Sequence, residues 1–122
     1  MPARGTPRLD GRAAEAYAEA HLVRTGLRPV TRNYRCRGGE IDLVMADGDT
    51  LVFVEVRYRS DLRFGRAEET VGAAKQARLL TAASHYLQRH ADPRAARFDV
   101  VAIHPDPRGG LDVKWIRDAF GV

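Results

Sequence analysis

Two apolar segments between residues 39 and 58 carry charged side chains at alternating positions and are separated by a short polar turn. The first reads Gly-Glu40-Ile-Asp42-Leu-Val-Met and the second Leu-Val-Phe-Val-Glu55-Val-Arg57. Side chains of a strand point to opposite faces with a period of two, so the pattern predicts a β-hairpin. In the first strand, one predicted face carries Ile41, Leu43 and Met45, and the other carries Glu40, Asp42 and Val44. In the second strand, one predicted face carries Val52, Val54 and Val56, and the other carries Leu51, Phe53, Glu55 and Arg57.

The register of this hairpin decides which acids meet. Ala46-Asp47-Gly48-Asp49 contains the Asp-Gly signal of a tight turn. A two-residue loop pairs Asp42 with Phe53, and a four-residue loop pairs Asp42 with Glu55. Both registers leave Asp42 and Glu55 on one face, whereas a three-residue loop turns one strand over and separates them.

Length and composition indicate one globular domain. The chain has 122 residues, of which 44% are hydrophobic, and no apolar run approaches the roughly 18 residues of a membrane span. We expect residues 1–8 to form a flexible tail and residues 9–122 to form a single domain. No apolar segment follows Met1 as a signal peptide requires, which predicts a cytoplasmic protein, and the lone Cys36 is read as structural.

Helical and strand patterns follow one another along the chain. Asp10 is a candidate N-cap for a helix to about Thr25, and a longer helix is predicted from about Glu68 to His90. Strands are predicted over Pro29 to Arg37, in the hairpin, over Arg97 to Ile103, and over Leu111 to Ile116. Helices interleaved with a mixed sheet give an α/β layered domain.

The paired carboxylates are a candidate metal site. Mg²⁺ and Mn²⁺ prefer hard oxygen ligands, and Asp42, Glu55 and the carbonyl of Val56 could supply them. Arg57 shares their face, so a salt-bridge network is the alternative, and next to a metal the same arginine would stabilise charge on a phosphate. Lys75 could add a second cation if its helix packs over the hairpin. Otherwise it is a lysine at the rim of an apolar stripe.

Arginines are concentrated in two acid-poor stretches, although the net charge is only +4 and the isoelectric point is near 9.7. Such clusters attract phosphate backbones, while the alternative is an ordinary solvated surface in an arginine-rich composition. The candidate nucleic-acid-binding residues are Arg35, Arg37, Arg59, Arg63 and Arg66.

Several motifs together resemble a known family. They are Gly39-Glu-Ile-Asp-Leu-Val, Val52-Phe-Val-Glu-Val-Arg-Tyr-Arg59, Phe64-Gly65, Lys75-Gln76 and Arg97-Phe-Asp-Val-Val101. The sequence closely resembles the YraN-like family of uncharacterised bacterial proteins from about Gly11 to Ile116. That family looks like a branch of the restriction-endonuclease-like PD-(D/E)xK superfamily, near the archaeal-type Holliday junction resolvases.

The resemblance implies a three-layer domain, with a mixed central sheet of about five strands flanked by helices, and a set of roles. Asp42 corresponds to the motif aspartate, Glu55 to the second metal carboxylate, and Glu15 to an acid from the first helix. Arg57 occupies the position where the superfamily usually has lysine, and Lys75 is a candidate relocated lysine. Arginine stays protonated and cannot act as a base, so this departure bears on catalysis.

Three functional hypotheses follow. The first is a cytoplasmic Mg²⁺- or Mn²⁺-dependent nuclease acting on DNA, with branched or single-stranded DNA as the expected substrate and a homodimer as a candidate assembly. The second is an inactive nucleic-acid-binding module on the same fold. The third is an interaction protein of a larger DNA-processing assembly, in which the acids form a structural network.

Overall fold

The structure, a computed structural model, describes residues 10–59 and 71–120, within which there are two helices and five strands. Helix α1 spans Gly11–Arg24 and α2 spans Ala73–His90. The strands are β1 Arg28–Cys36, β2 Gly39–Asp47, β3 Thr50–Tyr58, β4 Ala95–Pro105 and β5 Leu111–Phe120. The predicted tail at residues 1–8, the Phe64-Gly65 motif, Arg63 and Arg66 lie outside the described residues.

The five strands form one mixed sheet in the order β1-β2-β3-β4-β5. Neighbouring strands are antiparallel except β3 and β4, which are parallel. A parallel pair needs a long crossover connection, and α2 lies in the connection between β3 and β4. Sequential neighbours thus form the whole sheet, and the crossover carries the second helix.

Each face of the sheet is covered by one helix. On one face, Ala14, Ala18 and Leu22 of α1 pack with Val52 and Val54 of β3. On the opposite face, α2 contributes a buried line to a second apolar cluster with Leu51 and Phe53: Leu79, Ala82, Ala83 and Tyr86. The three-layer α/β architecture predicted from the sequence is confirmed, and it is consistent with a restriction-endonuclease-like fold.

Element ends differ from the predictions where the backbone departs from regular geometry. Asp10 caps α1 as expected, because its side chain accepts a hydrogen bond of 2.7 Å from the Ala13 N–H. Helix α2 begins at Ala73, since Gly72 has an extended backbone (φ −65°, ψ 161°), and the predicted start at Glu68 lies outside the described residues. Strand β5 continues past Ile116, but Asp118 at φ 51° and a bulge hide its alternation.

One buried carboxylate has a purely architectural environment. Asp99 of β4 is fully buried and accepts hydrogen bonds from Arg97 Nε at 3.0 Å, Trp115 Nε1 at 2.8 Å and the Asp118 N–H at 2.9 Å. A buried charge needs this many partners, and here they fasten the irregular end of β5 to β4. In the described ranges, neither helix is both long and apolar enough to cross a bilayer.

Candidate metal centre

The hairpin turn sets the register of the two acidic strands. Asp47 pairs with Thr50, so the loop has two residues, Gly48 and Asp49, and Gly48 has the positive φ (58°) that favours glycine at the first loop position. Further along, Leu43 pairs with Val54. Asp42 therefore falls opposite Glu55. This is the register that was predicted for a four-residue loop. The observed loop has two residues, and it lies one position later in the sequence than the Asp47-Gly48 pair.

The predicted alternation fails at Asp42. Ile41 packs on the α2 side, whereas Leu43 and Met45 pack on the α1 side, so these three residues do not share a face as predicted. The neighbouring strand is irregular at the same level, because Asn33, between the partners of Leu43 and Ile41, has a φ of 51°. Strands β1 and β2 are therefore both irregular at this point, and the side chain of Asp42 belongs to neither apolar cluster.

The Asp42 side chain reaches across the hairpin. Its Oδ2 accepts a hydrogen bond of 2.8 Å from the backbone N–H of Val56. Within an extended strand the N–H and C=O of one residue point to the same side, so the Val56 carbonyl is directed to this side as well. Asp42 and the backbone of Val56 therefore meet where the β2–β3 ladder opens.

A cavity of about 360 Å³ lies at this opening. The N-terminal part of α1 lines one side with Glu15, the hairpin lines another with Asp42, Glu55 and Val56, and α2 contributes Lys75 from its first turn. Four of the residues singled out from the sequence, together with Val56, thus come from four elements, α1, β2, β3 and α2, into one cavity.

Burial and crowding of negative charge perturb the acids of the cavity. Burial, followed by the charge of Asp42, raises the pKa of Glu55 to about 7, and the cations of Lys75 and Arg57 counteract this only in part. Burial and the Asp42 charge likewise raise the pKa of Glu15, against a hydrogen bond from Asn33. Both pKa values rise because the carboxylates are buried close to one another and the nearby positive charge only partly compensates them.

Among the described residues, Lys75 is the cation that lines the cavity. Lys75 Nζ lies 3.6 Å from Glu55 Oε2, and its side chain is one-third exposed. The helix therefore packs over the hairpin as the active-site hypothesis requires, and Lys75 does more than extend along the rim of an apolar stripe. Arg57 is half-buried and close enough to Glu55 to lower the pKa of that acid.

The donor set suits a hard divalent cation. Among the residues that the structure describes, no three His, Cys, Asp or Glu side chains are already spaced as a closed ligand group. Two carboxylates and a carbonyl are nevertheless the set that Mg²⁺ uses when it keeps several waters. The charge of Asp42 raises the pKa of Glu55, and a divalent cation between the two carboxylates would relieve that repulsion.

The predicted arginines occupy different positions around this cavity. Arg35 is exposed and pairs with Glu40 at 3.3 Å, next to the kinked end of the hairpin. Arg37 and Arg59 are also exposed, at the β1–β2 turn and directly after β3. Arg63 and Arg66 are not among the described residues, so their place remains a prediction.

Two residues near the site were missed by the sequence analysis. Asn33 contacts Glu15, and only its positive φ, which sequence does not display, indicates why it lies there. Arg78 lies one helical turn after Lys75, and that three-residue spacing is the signal that could have found it.

Comparison with known proteins identifies relatives along nearly the whole chain. The profile of the uncharacterised protein family UPF0102 matches residues 14–103. A UPF0102 protein of Cupriavidus necator is 58% identical over 113 residues, covering 92% of this chain and 82% of the relative. A UPF0102 protein of Nitrosococcus oceani is 51% identical over 119 residues, covering 96% of this chain and 95% of the relative. The YraN-like assignment from sequence is thereby confirmed.

Proposed function

This chain belongs to the uncharacterised protein family UPF0102, and we propose that it is a divalent-metal-dependent hydrolase of phosphodiester bonds in nucleic acid. Mg²⁺ or Mn²⁺ is the proposed cofactor. DNA, branched or single-stranded, is the proposed substrate, and the cytoplasm is the proposed location.

One observation carries this proposal. Glu15, Asp42 and Glu55 come from different elements into a single cavity that also contains Lys75. Converging acids with raised pKa values cost stability, and groups perturbed in this way in a cleft are frequent at functional sites. A structural salt-bridge network would instead satisfy its charges, as Asp99 does in β4.

The residues have distinct roles in the proposed reaction. Asp42, Glu55 and the Val56 carbonyl would hold the ion, and Glu15 of α1 would orient water in the same cavity. When bound, the ion would polarise the phosphate and lower the pKa of an attacking water. Lys75 and Arg57 place positive charge where negative charge grows on the phosphate during hydrolysis.

Lys75 takes the role that the superfamily usually assigns to a lysine on the second hairpin strand. A compact ammonium can orient a water or lose its proton, and neither is open to the guanidinium of Arg57. The contact between Lys75 and Glu55 supports a lysine relocated onto α2.

The test is metal-dependent cleavage of duplex, single-stranded and four-way DNA by the wild type and Asp42→Asn. Asparagine keeps an oxygen that can accept the Val56 N–H, so the variant should fold while cleavage falls to background. Asp49→Asn, the same chemical change in the exposed hairpin loop, is the matched control and should cut like the wild type. Equal cleavage by all three proteins would remove the proposed role of Asp42.

A second candidate function is an inactive nucleic-acid-binding module. Arg57 favours this second function, because its permanently charged guanidinium group, in place of a lysine, can bind phosphate but cannot transfer a proton. This function predicts binding that is sensitive to salt but indifferent to Mn²⁺ and to Asp42→Asn. Binding without cleavage by the wild type would favour it over the hydrolase.

A further inference from the structure

A second, basic cavity adjoins the candidate metal centre and shares Lys75 with it. Its volume is about 490 Å³, and it lies between the β1–β2 turn and the N-terminal half of α2. Arg35 and Glu40 line it from the strands, and Lys75 and Arg78 line it from the helix. We call this space the basic groove.

The floor of the basic groove is glycine backbone held tightly against α2. A Cβ built on Gly39 would lie 2.1 Å from the carbonyl oxygen of Arg78, so only glycine permits this approach. The neighbouring Gly38 has a φ of 90°, which also favours glycine. The close packing at Gly39 fixes the backbone of Arg78 relative to the hairpin.

The charge of the basic groove is predominantly positive. Of the described residues that line it, Arg35, Lys75 and Arg78 are cations and Glu40 is the one acid, which pairs with Arg35 at 3.3 Å. Helix α2 has no acid in its own first turn, so the helix itself adds no negative charge at its positive N-terminal end. An anion entering the groove would meet two guanidinium groups, and guanidinium binds phosphate oxygens in bidentate fashion.

We propose that the basic groove binds a backbone phosphate of the nucleic acid next to the phosphate that is hydrolysed. The inference rests on the proposed function and adds Arg78, with Arg35, as a residue that positions the strand. Lys75 lies on the boundary of both cavities, so consecutive phosphates of one strand can occupy them on its two sides. Arg78 is a positioning residue and takes no part in bond breaking.

Binding of a short fluorescent single-stranded oligonucleotide, measured by anisotropy with EDTA present, tests this inference without any cleavage. Arg78→Ala should weaken binding about tenfold or more, since hydrogen bonds to charged groups are strong, and should reduce the slope of log K against log salt by about 0.7. Arg89→Ala is the matched control, because Arg89 is also exposed on α2 but lies 11 residues, about 16 Å, along the helix. It should bind like the wild type.

Two further arms make the result specific. Arg78→Lys keeps the charge but loses the fork, so it should recover part of the lost affinity. If a 5′-phosphate on the oligonucleotide strengthens binding by the wild type but not by Arg78→Ala, the groove binds the terminal phosphate. If the 5′-phosphate has no effect on binding, the groove binds an internal phosphate. Thermal unfolding verifies that each variant is folded.

Failure of this inference is separable from failure of the proposed function. Equal affinities for Arg78→Ala and Arg89→Ala would overturn the basic groove as a phosphate site, even if Asp42→Asn abolishes cleavage. A selective loss in Arg78→Ala would support the groove, even if the wild type cuts no substrate.

Discussion

At the scale of single residues, Glu55 shows the conflict between stability and chemistry most clearly. Its side chain is only 10% exposed and faces Asp42, so its ionised form is disfavoured and its pKa rises to about 7. The folded state therefore holds the proton more tightly than the unfolded chain does. The resulting stability is complete below about pH 4.5 and is lost as the pH rises towards 7.

Glu55→Gln should remove this pH-dependent loss. Glutamine resembles the protonated acid, so the variant should match the wild type near pH 4.5 and exceed its free energy of unfolding by about 1 to 3 kcal/mol at pH 8. Urea denaturation at several pH values in EDTA measures the difference. Glu40→Gln, which changes an exposed acid of the same strand pair, should change stability little at any pH. Parallel pH profiles for wild type and Glu55→Gln would contradict the assigned burial.

Residue types and spacing predicted the acids, but not the direction of each side chain. Asp42, Glu55 and Lys75 were found from alternation and helical spacing, and the structure places all three in one cavity. The kink at Asn33 was not predictable, because a positive φ at a non-glycine residue leaves no clear mark on a single sequence. Alternation alone therefore assigned Ile41 to the wrong face.

At the scale of elements, the start of β2 and the first half of α2 act as one packed unit. Gly39 lies directly on the helix backbone at Arg78, and Lys75 lies one helical turn before that contact. The distance between the hairpin and α2 thus depends on one glycine. The position of Lys75 relative to Glu55 depends on that distance.

Gly39→Ala should therefore destabilise the fold. The added methyl group meets a backbone carbonyl oxygen at 2.1 Å, which cannot move aside as a side chain can, so we expect a loss of about 1 to 3 kcal/mol. Thermal or urea unfolding measures it. Gly11→Ala in α1 is the matched control. Nothing lies within 4 Å of its Cβ, so it should be neutral or should gain up to about 1 kcal/mol. Equal stabilities for the two variants would refute the close approach.

Element order was predictable because periodicity, caps and turns are local features. Leu79, Ala82, Ala83 and Tyr86 follow one helical line and are all buried, as expected. The ends of elements were less predictable. Helix α2 begins at Ala73 because Gly72 is extended, and β5 extends to Phe120 because Asp99 supports its irregular end from β4. The end of β5 thus depends on a contact distant in sequence.

At the scale of the whole molecule, arginines lie at both ends of β1, and only one of these ends adjoins the metal centre. Arg35 lies near the end of the sheet that carries the metal centre, opposite Glu40, whereas Arg28 lies at the other end of β1, opposite Ala46. Since phosphate contacts release counterions, arginines near the cavity should influence nucleic-acid affinity more than arginines at the opposite end.

Pairs of substitutions test this asymmetry. Arg35→Gln with Arg37→Gln should reduce the salt slope of single-stranded DNA binding by about 1.4, corresponding to two lost phosphate contacts. Arg24→Gln with Arg28→Gln makes the same change in net charge at the other end of β1 and should leave the slope unchanged. Identical slopes for the two double variants would indicate a general charge effect without a defined path for the strand.

The central claim is that Asp42 and Glu55 form a site for a divalent cation. Calorimetric titration of Mn²⁺ at pH 8, where Glu55 is ionised, tests it most directly in the wild type, Asp42→Asn and Asp49→Asn. The wild type and Asp49→Asn should each bind a single ion with the same affinity, and Asp42→Asn should show no saturable binding. Saturable binding of equal affinity in Asp42→Asn, or none in the wild type, would contradict the claim.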